Sequence, residues 1–169
     1  MNYQDYKRII LGQMRDLLKP QGFRKSASTF VAERNDVLLF VQLQSSTKTT
    51  RQTLIVTVNL GIVSLLLHHR EGYQRKPNFL DSHWSERIGH FLLEGGDKWW
   101  EMNDSEGAVR AGAEITNILK LHGLPALEAL AATERLRQLW QSGQRPGLTD
   151  FERKKYLALL DKLNASSTG

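Results

Sequence analysis

Residues 53–63 read Thr-Leu-Ile-Val-Thr-Val-Asn-Leu-Gly-Ile-Val. Side chains alternate across a strand, so Leu54, Val56, Val58 and Leu60 point one way while Ile55, Thr57 and Asn59 point the other. Just upstream, Phe23 to Ala32 and Val37 to Gln44 are rich in aromatic and β-branched residues, and Glu33-Arg34-Asn35-Asp36 between them has the chemistry of a hairpin turn. Three antiparallel strands, the last two separated by the polar loop Ser45 to Gln52, are the economical reading.

Before the strands, Tyr6, Ile9, Ile10, Met14, Leu17 and Leu18 recur at three- and four-residue steps, which predicts an amphipathic helix over Tyr3 to Leu18, stopped by Pro20-Gln21-Gly22. After them, Ser64 to Asp81 turns polar and basic at His68-His69-Arg70 and contains Pro77, so it is expected to leave the sheet and run along the surface. Glu86 to Leu93 and Lys98 to Met102 flank Glu94-Gly95-Gly96-Asp97, which predicts a second hairpin and a sheet of about five strands.

The remainder reads as three helices. Asn103 or Asp104 is a cap for the first, with Val109, Ala113, Ile118 and Leu121 as its apolar positions and Gly123 as its stop. A second runs from about Pro125 to Ser142, and Thr149-Asp150-Phe151-Glu152 is a capping box opening a third that carries Phe151, Tyr156, Leu159, Leu160 and Leu163. A helix, a block of strands and three helices make an α+β fold, expected as one domain over residues 1–165 with a frayed tail at 166–169. One sheet face should be covered by helices, and the other must meet solvent or bind something.

The chain has 169 residues and no Cys, which excludes disulfides, thiolate metal sites and a Cys nucleophile and suits a reducing cytoplasm. Its amino terminus lacks the features of a secretory signal, and Leu54 to Leu67 is too short and too interrupted to span a bilayer, so no membrane association is expected. Residues 1–76 hold 12 Lys/Arg against 5 Asp/Glu, a surplus of +7, whereas residues 77–169 hold 11 against 13. A basic half could attract nucleic acid, an anionic surface or an acidic protein, or keep the protein soluble.

The usual catalytic signatures are absent: no phosphate-binding glycine loop, no His-Glu-x-x-His and no Gly-x-Ser-x-Gly elbow. Asp81-Ser82-His83 has the residue types of a triad, but adjacent residues cannot align nucleophile, base and orienting group. His68 and His69 are neighbours and would diverge in a strand, and the spacing of His83 and His90 specifies no metal site, so no cofactor or metal is expected. Trp99 and Trp100, if extended, face opposite ways, leaving one on the second sheet face, where an aromatic beside Arg can stack a base or anchor an interface. Gln42 and Gln44 share a face by period two and would form a polar strip beside Asn59, with Arg24 and Arg87 as further polar strand positions.

Gly22-Phe23-Arg24-Lys25, Thr29-Phe30, Gln44-Ser45-Ser46 and Val58-Asn59-Leu60-Gly61, followed in order by Arg87-Ile88-Gly89, Asp97-Lys98-Trp99-Trp100 and Leu124-Pro125-Ala126-Leu127-Glu128, resemble the domain of unknown function DUF4304. The resemblance spans Tyr3 to Leu130 and rests on the ordered set. It implies a small bacterial α+β domain and supplies no catalytic residue or cofactor. Proteins of this size and layout also serve as immunity proteins, an analogy of type alone.

The expectation is therefore a non-enzymatic binding protein with another protein as partner, engaged through a sheet face or the Ser64 to Asp81 loop. A single-stranded nucleic-acid-binding domain is one alternative, and an enzyme using His83, Arg87, His90 or a carboxylate is another. The candidate positions are Arg24, Gln44, Ser45, Asn59, His83, Arg87, Trp99 and Trp100.

Overall fold

In the computed structural model, which describes residues 1–166 and side chains through Lys162, the 53–63 stretch lies in a long central strand. The elements in order are α1 (Tyr3–Leu18), β1 (Arg24–Ser26), β2 (Thr29–Arg34), β3 (Val37–Ser45), β4 (Leu54–Ser64), α2 (Leu65–Arg70), β5 (Trp84–Arg87), β6 (Trp100–Met102), α3 (Ser105–Ile118), α4 (Leu124–Ala129), α5 (Thr133–Gln141) and α6 (Asp150–Ser166). The fold is α+β, with an antiparallel sheet in the order β1-β2-β3-β4-β5 and β6 paired to the other half of the same edge of β4.

The alternation of β4 decides where the core lies. Leu54, Val56, Val58, Leu60 and Ile62 are each fully buried on one face, joined by Leu39, Val41 and Leu43 of β3 and Phe30 of β2. Each such side chain contributes about 1.5–3 kcal/mol through burial. Over this face lie α1, which supplies Tyr6, Ile10, Met14 and Leu18, and α3, which supplies Ala108, Ala111, Ile115 and Ile118. Helix α1 starts on an Asn2–Asp5 capping box and gives way, through a short 3-10 turn, to Gly22, whose φ of 88° is a left-handed value that suits glycine.

The opposite face carries a smaller cluster, Leu38, Phe40 and Val63 with Val31, Leu65 and Phe79. Gly61 permits that covering. A Cβ there would lie 2.3 Å from Ser82 Oγ and 2.9 Å from the Phe79 ring, so the absent side chain lets the 79–82 segment settle onto β4. The Phe79 ring meets Phe40 edge-on with centroids 6.4 Å apart. Beyond Phe79 towards β5 the face is only partly covered, with Gly147 packed against Ser85 of β5.

Several expected elements are corrected. Phe23 to Ala32 is two strands, β1 and β2, folded back at Ala27-Ser28 with Ala27 at φ 52°. Glu86 to Leu93 is a strand only through Arg87 and then becomes a 3-10 turn, Ile88–Phe91, because Gly89 packs against the backbone of Gly96 and Lys98. The 95–96 glycines consequently join no hairpin, and β5 and β6 both pair with β4. His68 and His69 lie in α2, where His68 is buried and stacked on Tyr73, rather than in an extended segment.

The helical region differs too. Asp104 caps α3 as expected, accepting from Gly107 N–H. Gly123 does not stop the helix, which continues through a π-helical turn, Leu119–Gly123, into α4; of the expected apolar positions Ile118 is buried while Val109, Ala113 and Leu121 are exposed. The Pro125 to Ser142 helix is two, α4 and α5, broken at 130–132. The Thr149–Glu152 capping box is formed, but Phe151 is exposed, while Tyr156 and Leu160 are buried. Leu163 as an apolar position lies outside the described side chains. Of the expected frayed tail, Ser166 closes α6 and residues 167–169 lie outside the described residues.

Candidate functional site

The register of three strands builds a polar row on the open face. Asn59 of β4 stands opposite Gln42 of β3 and Arg87 of β5, with Gln44 two residues along β3. Arginine only donates, so the 3.3 Å contact from Arg87 Nε fixes Asn59 Oδ1 as an acceptor. Asn59 Nδ2 must then face the glutamines, and it donates to Gln44 Oε1 at 2.7 Å and more weakly to Gln42 Oε1 at 3.4 Å. Both glutamine carbonyls are thereby used. Their Nε2 groups, which are donors, meet no protein acceptor among the described residues.

Arg87 organises the next step. Its guanidinium carbon lies 5.3 Å from the centroid of the Trp99 ring, and its Nη1 donates to Asp97 Oδ2. His90 Nδ1 hydrogen-bonds to Glu86 Oε1, and His90 Nε2 lies 3.8 Å from Asp97 Oδ1. Gln44, Asn59, Glu86, Arg87, His90 and Asp97, with Phe79, Ser85 and Gly147, line an open cleft of about 510 Å³; Gln42 lines the neighbouring groove with Phe40 and Phe79, and Trp99 lies against Arg87 outside the cleft lining. Arg87 is paired with Asp97, and the uncommitted chemistry is the Gln44 carboxamide donor in the cleft, the Gln42 donor in the adjoining groove and the half-exposed Trp99 beside Arg87. Among the described residues no serine or threonine hydroxyl of the cleft is bonded to a histidine, and no group of three His, Asp or Glu is placed to hold a metal ion.

Of the eight positions singled out in the sequence, Gln44, Asn59, Arg87 and Trp99 come together here. The other four do not. Trp100 points to the buried face and donates from Nε1 to Glu114 Oε2 at 3.0 Å. Ser45 is in register with Val56, on the opposite face from Gln44, and its Oγ is buried without a partner among the described residues. Arg24 sits on the edge strand β1, on the far side of Phe79.

His83 is wholly buried beneath α2 and α6. The Ser64 N–H donates to its Nδ1 at 3.0 Å, which leaves Nε2 to donate to Glu71 Oε2 at 2.9 Å. Burial pushes the Glu71 carboxyl up, but the bonds from His83 and Lys155 outweigh it and hold the group below its ordinary value. This cluster fastens α6 to the sheet rather than facing a ligand, so the Asp81-Ser82-His83 run contains a structural histidine. Asp97, Phe79 and Gly147 were not legible as cleft residues, because loops distant in sequence deliver them.

This is a small α+β domain with one helix-covered sheet face and one partly open face, and among its described residues no helix is long and apolar enough to cross a membrane. The family model described as Domain of unknown function (DUF4304) matches residues 14–129, well over half of the chain, and the protein belongs to that family. The match takes in all six strands, and with them the polar row and the cleft wall up to Asp97. No curated protein and no solved structure matches the chain.

Proposed function

We propose that this protein is a non-enzymatic binding protein whose cleft receives an extended, uncharged polar segment of a partner protein. The observation that carries this reading is the pair of uncommitted Nε2 donors, Gln44 in the cleft and Gln42 in the adjoining groove, on the sheet face that also carries Arg87 and the half-exposed Trp99 ring. Donors in a cleft call for acceptors, and backbone carbonyls of an extended segment supply them at regular spacing. Arg87 is paired with Asp97 and His90 is bonded to Glu86, so among the described residues the cleft offers no unpaired cation to an anionic ligand, and Trp99 offers a surface for an apolar side chain of the same segment. An immunity-type inhibitor is one form such a binder takes.

The nucleic-acid alternative needs aromatic groups beside unpaired cations. Here the cation beside Trp99, Arg87, is already paired with Asp97, whereas Lys25 is in register with buried Phe30 and points to the α1 side. The test compares capture by wild type, Trp99→Ala and the double variant Gln42→Ala/Gln44→Ala from cells that make the protein. A protein held stoichiometrically by wild type and lost by both variants, at unchanged thermal midpoints, is the expected result. Retention by both variants, or a wild-type protein that captures nothing, overturns the reading.

A further inference from the structure

A second concavity lies on the other side of the sheet, between α1 and the β1–β2 turn, away from the cleft described above. It has a volume of about 390 Å³ and is lined by Lys7, Arg8, Gly12 and Arg15 of α1, with Lys25 of β1 and Ser28 of the turn among the rest. The charges are not balanced. Arg8 pairs with Asp5 and Arg15 with Asp16, each at 3.0 Å, but Lys7 and Lys25 have no acidic partner among the described residues. They also oppose one another: burial, and then the charge of Lys25, lower the pKa of Lys7.

The second observation is Gly12. Glycine in the middle of a helix weakens it, so its presence there calls for a reason. Gly112 of α3 has one, since a Cβ would lie 1.6 Å from Gln13 Oε1 of α1. Gly12 has no such neighbour: nothing of the protein lies within 4 Å of where its Cβ would stand. Its lack of a side chain deepens a groove whose walls carry two uncompensated ammonium groups.

We infer that the groove between α1 and β1 is a binding site for a dianionic phosphate group of a small molecule, held by Lys7 and Lys25 over the floor at Gly12. Two unpaired positive charges match the charge of about −1.5 to −2 on a phosphomonoester near neutral pH. Lysine ammonium groups act as point-charge phosphate binders, and Ser28 of the turn lines the same groove. This site is independent of the partner-binding reading.

The probe is inorganic phosphate, titrated into the isotopically labelled full chain at constant ionic strength set with chloride. Saturable amide shifts centred on Lys7, Gly12, Lys25 and Ser28 are expected. Affinity should fall at least tenfold in Lys7→Gln and Lys25→Gln and stay unchanged in the control Lys48→Gln. Gly12→Ala should raise the thermal midpoint while weakening phosphate binding, and Gly12→Leu should abolish it. Shifts that do not saturate, that chloride reproduces, or that survive Lys7→Gln and Lys25→Gln overturn the site. So does tighter binding of a single-stranded oligothymidylate that these two variants weaken equally, which would make the groove a path for a nucleic-acid backbone instead.

Discussion

Asp36, in the turn between β2 and β3, caps a helix 97 residues away: its Oδ1 accepts from the Thr133 backbone N–H at 2.9 Å, at the first residue of α5. The local cap position, Ala132, has no side chain able to do this, and Thr133 Oγ1 completes the junction 2.7 Å from Ser64 Oγ. Asp36→Ala should therefore lower stability by about 1 kcal/mol, within the roughly 0.5–2 kcal/mol range of helix caps, while Asp36→Asn keeps the acceptor and most of the stability. Urea unfolding of the three proteins checks this. Equal midpoints for wild type and Asp36→Ala would show that the cap contributes nothing.

His83 satisfies two buried groups at once, the Ser64 N–H and the Glu71 carboxylate. His83→Ala opens a cavity and strands both partners, and the expected loss is about 3–5 kcal/mol. In His83→Asn the Oδ1 can occupy the place of Nδ1 and keep the Ser64 bond, so the loss should be clearly smaller. Denaturant midpoints that rank the asparagine variant at or below the alanine variant would refute this division of labour.

Asp81 accepts two bonds from Arg75, at 2.6 and 2.7 Å, and one from the Asn78 N–H. The Arg75 guanidinium foremost, opposed by burial and aided by the Asn78 N–H, holds its carboxyl down at about 2 from an ordinary 3.8. A depressed folded value means that the group stabilises the fold fully above the unfolded pKa and loses that contribution as pH falls from about 4 through 2. Asp81→Asn should be less stable than wild type at neutral pH, and the gap should close across that acid window. A gap that is constant with pH would contradict the pairing.

What the sequence disclosed follows the reach of its signals. Period-two alternation in 54–63 is local and strong, so strand, face and the grouping of Asn59 with Gln42 and Gln44 could all be read from it. The helix break at 130–132 could not, because Leu-Ala-Ala carries no breaker and the cap that restarts the helix comes from Asp36. Glu86 to Leu93 misleads for a related reason: its residues suit a strand, but contact of Gly89 with the 96–98 backbone turns the chain after Arg87. The cleft was half legible, since its strand-borne wall follows from register while Asp97 and Phe79 arrive on loops.

Of the four tryptophans, Trp84, Trp100 and Trp140 are buried at 4%, 6% and 0% exposure, while Trp99 is 36% exposed. Collisional quenching by iodide should thus act mainly on Trp99, and Trp99→Phe should remove most of the quenchable fluorescence. Undiminished quenching in Trp99→Phe would mean that another indole is reached by solvent.

Tyr156 reports on the same junction as His83 from the side of α6. Its ring packs edge-on against His83 at 4.9 Å and lies 5.5 Å from Trp140. Burial first, then the negative charges of Glu71 and Glu152, push its phenol up to about 12 from an ordinary 10.0. In a phenol the charged form is the deprotonated one, so the unfolded chain loses this proton first. The stabilising contribution is complete below about 10 and disappears as pH rises towards 12. Titration followed by phenolate absorbance should show a late ionisation belonging to Tyr156, which Tyr156→Phe should delete. The same variant should lose less stability than wild type between pH 10 and 12. A late ionisation that survives in Tyr156→Phe would place the shielded phenol elsewhere and dissolve the link between α6 docking and alkaline unfolding.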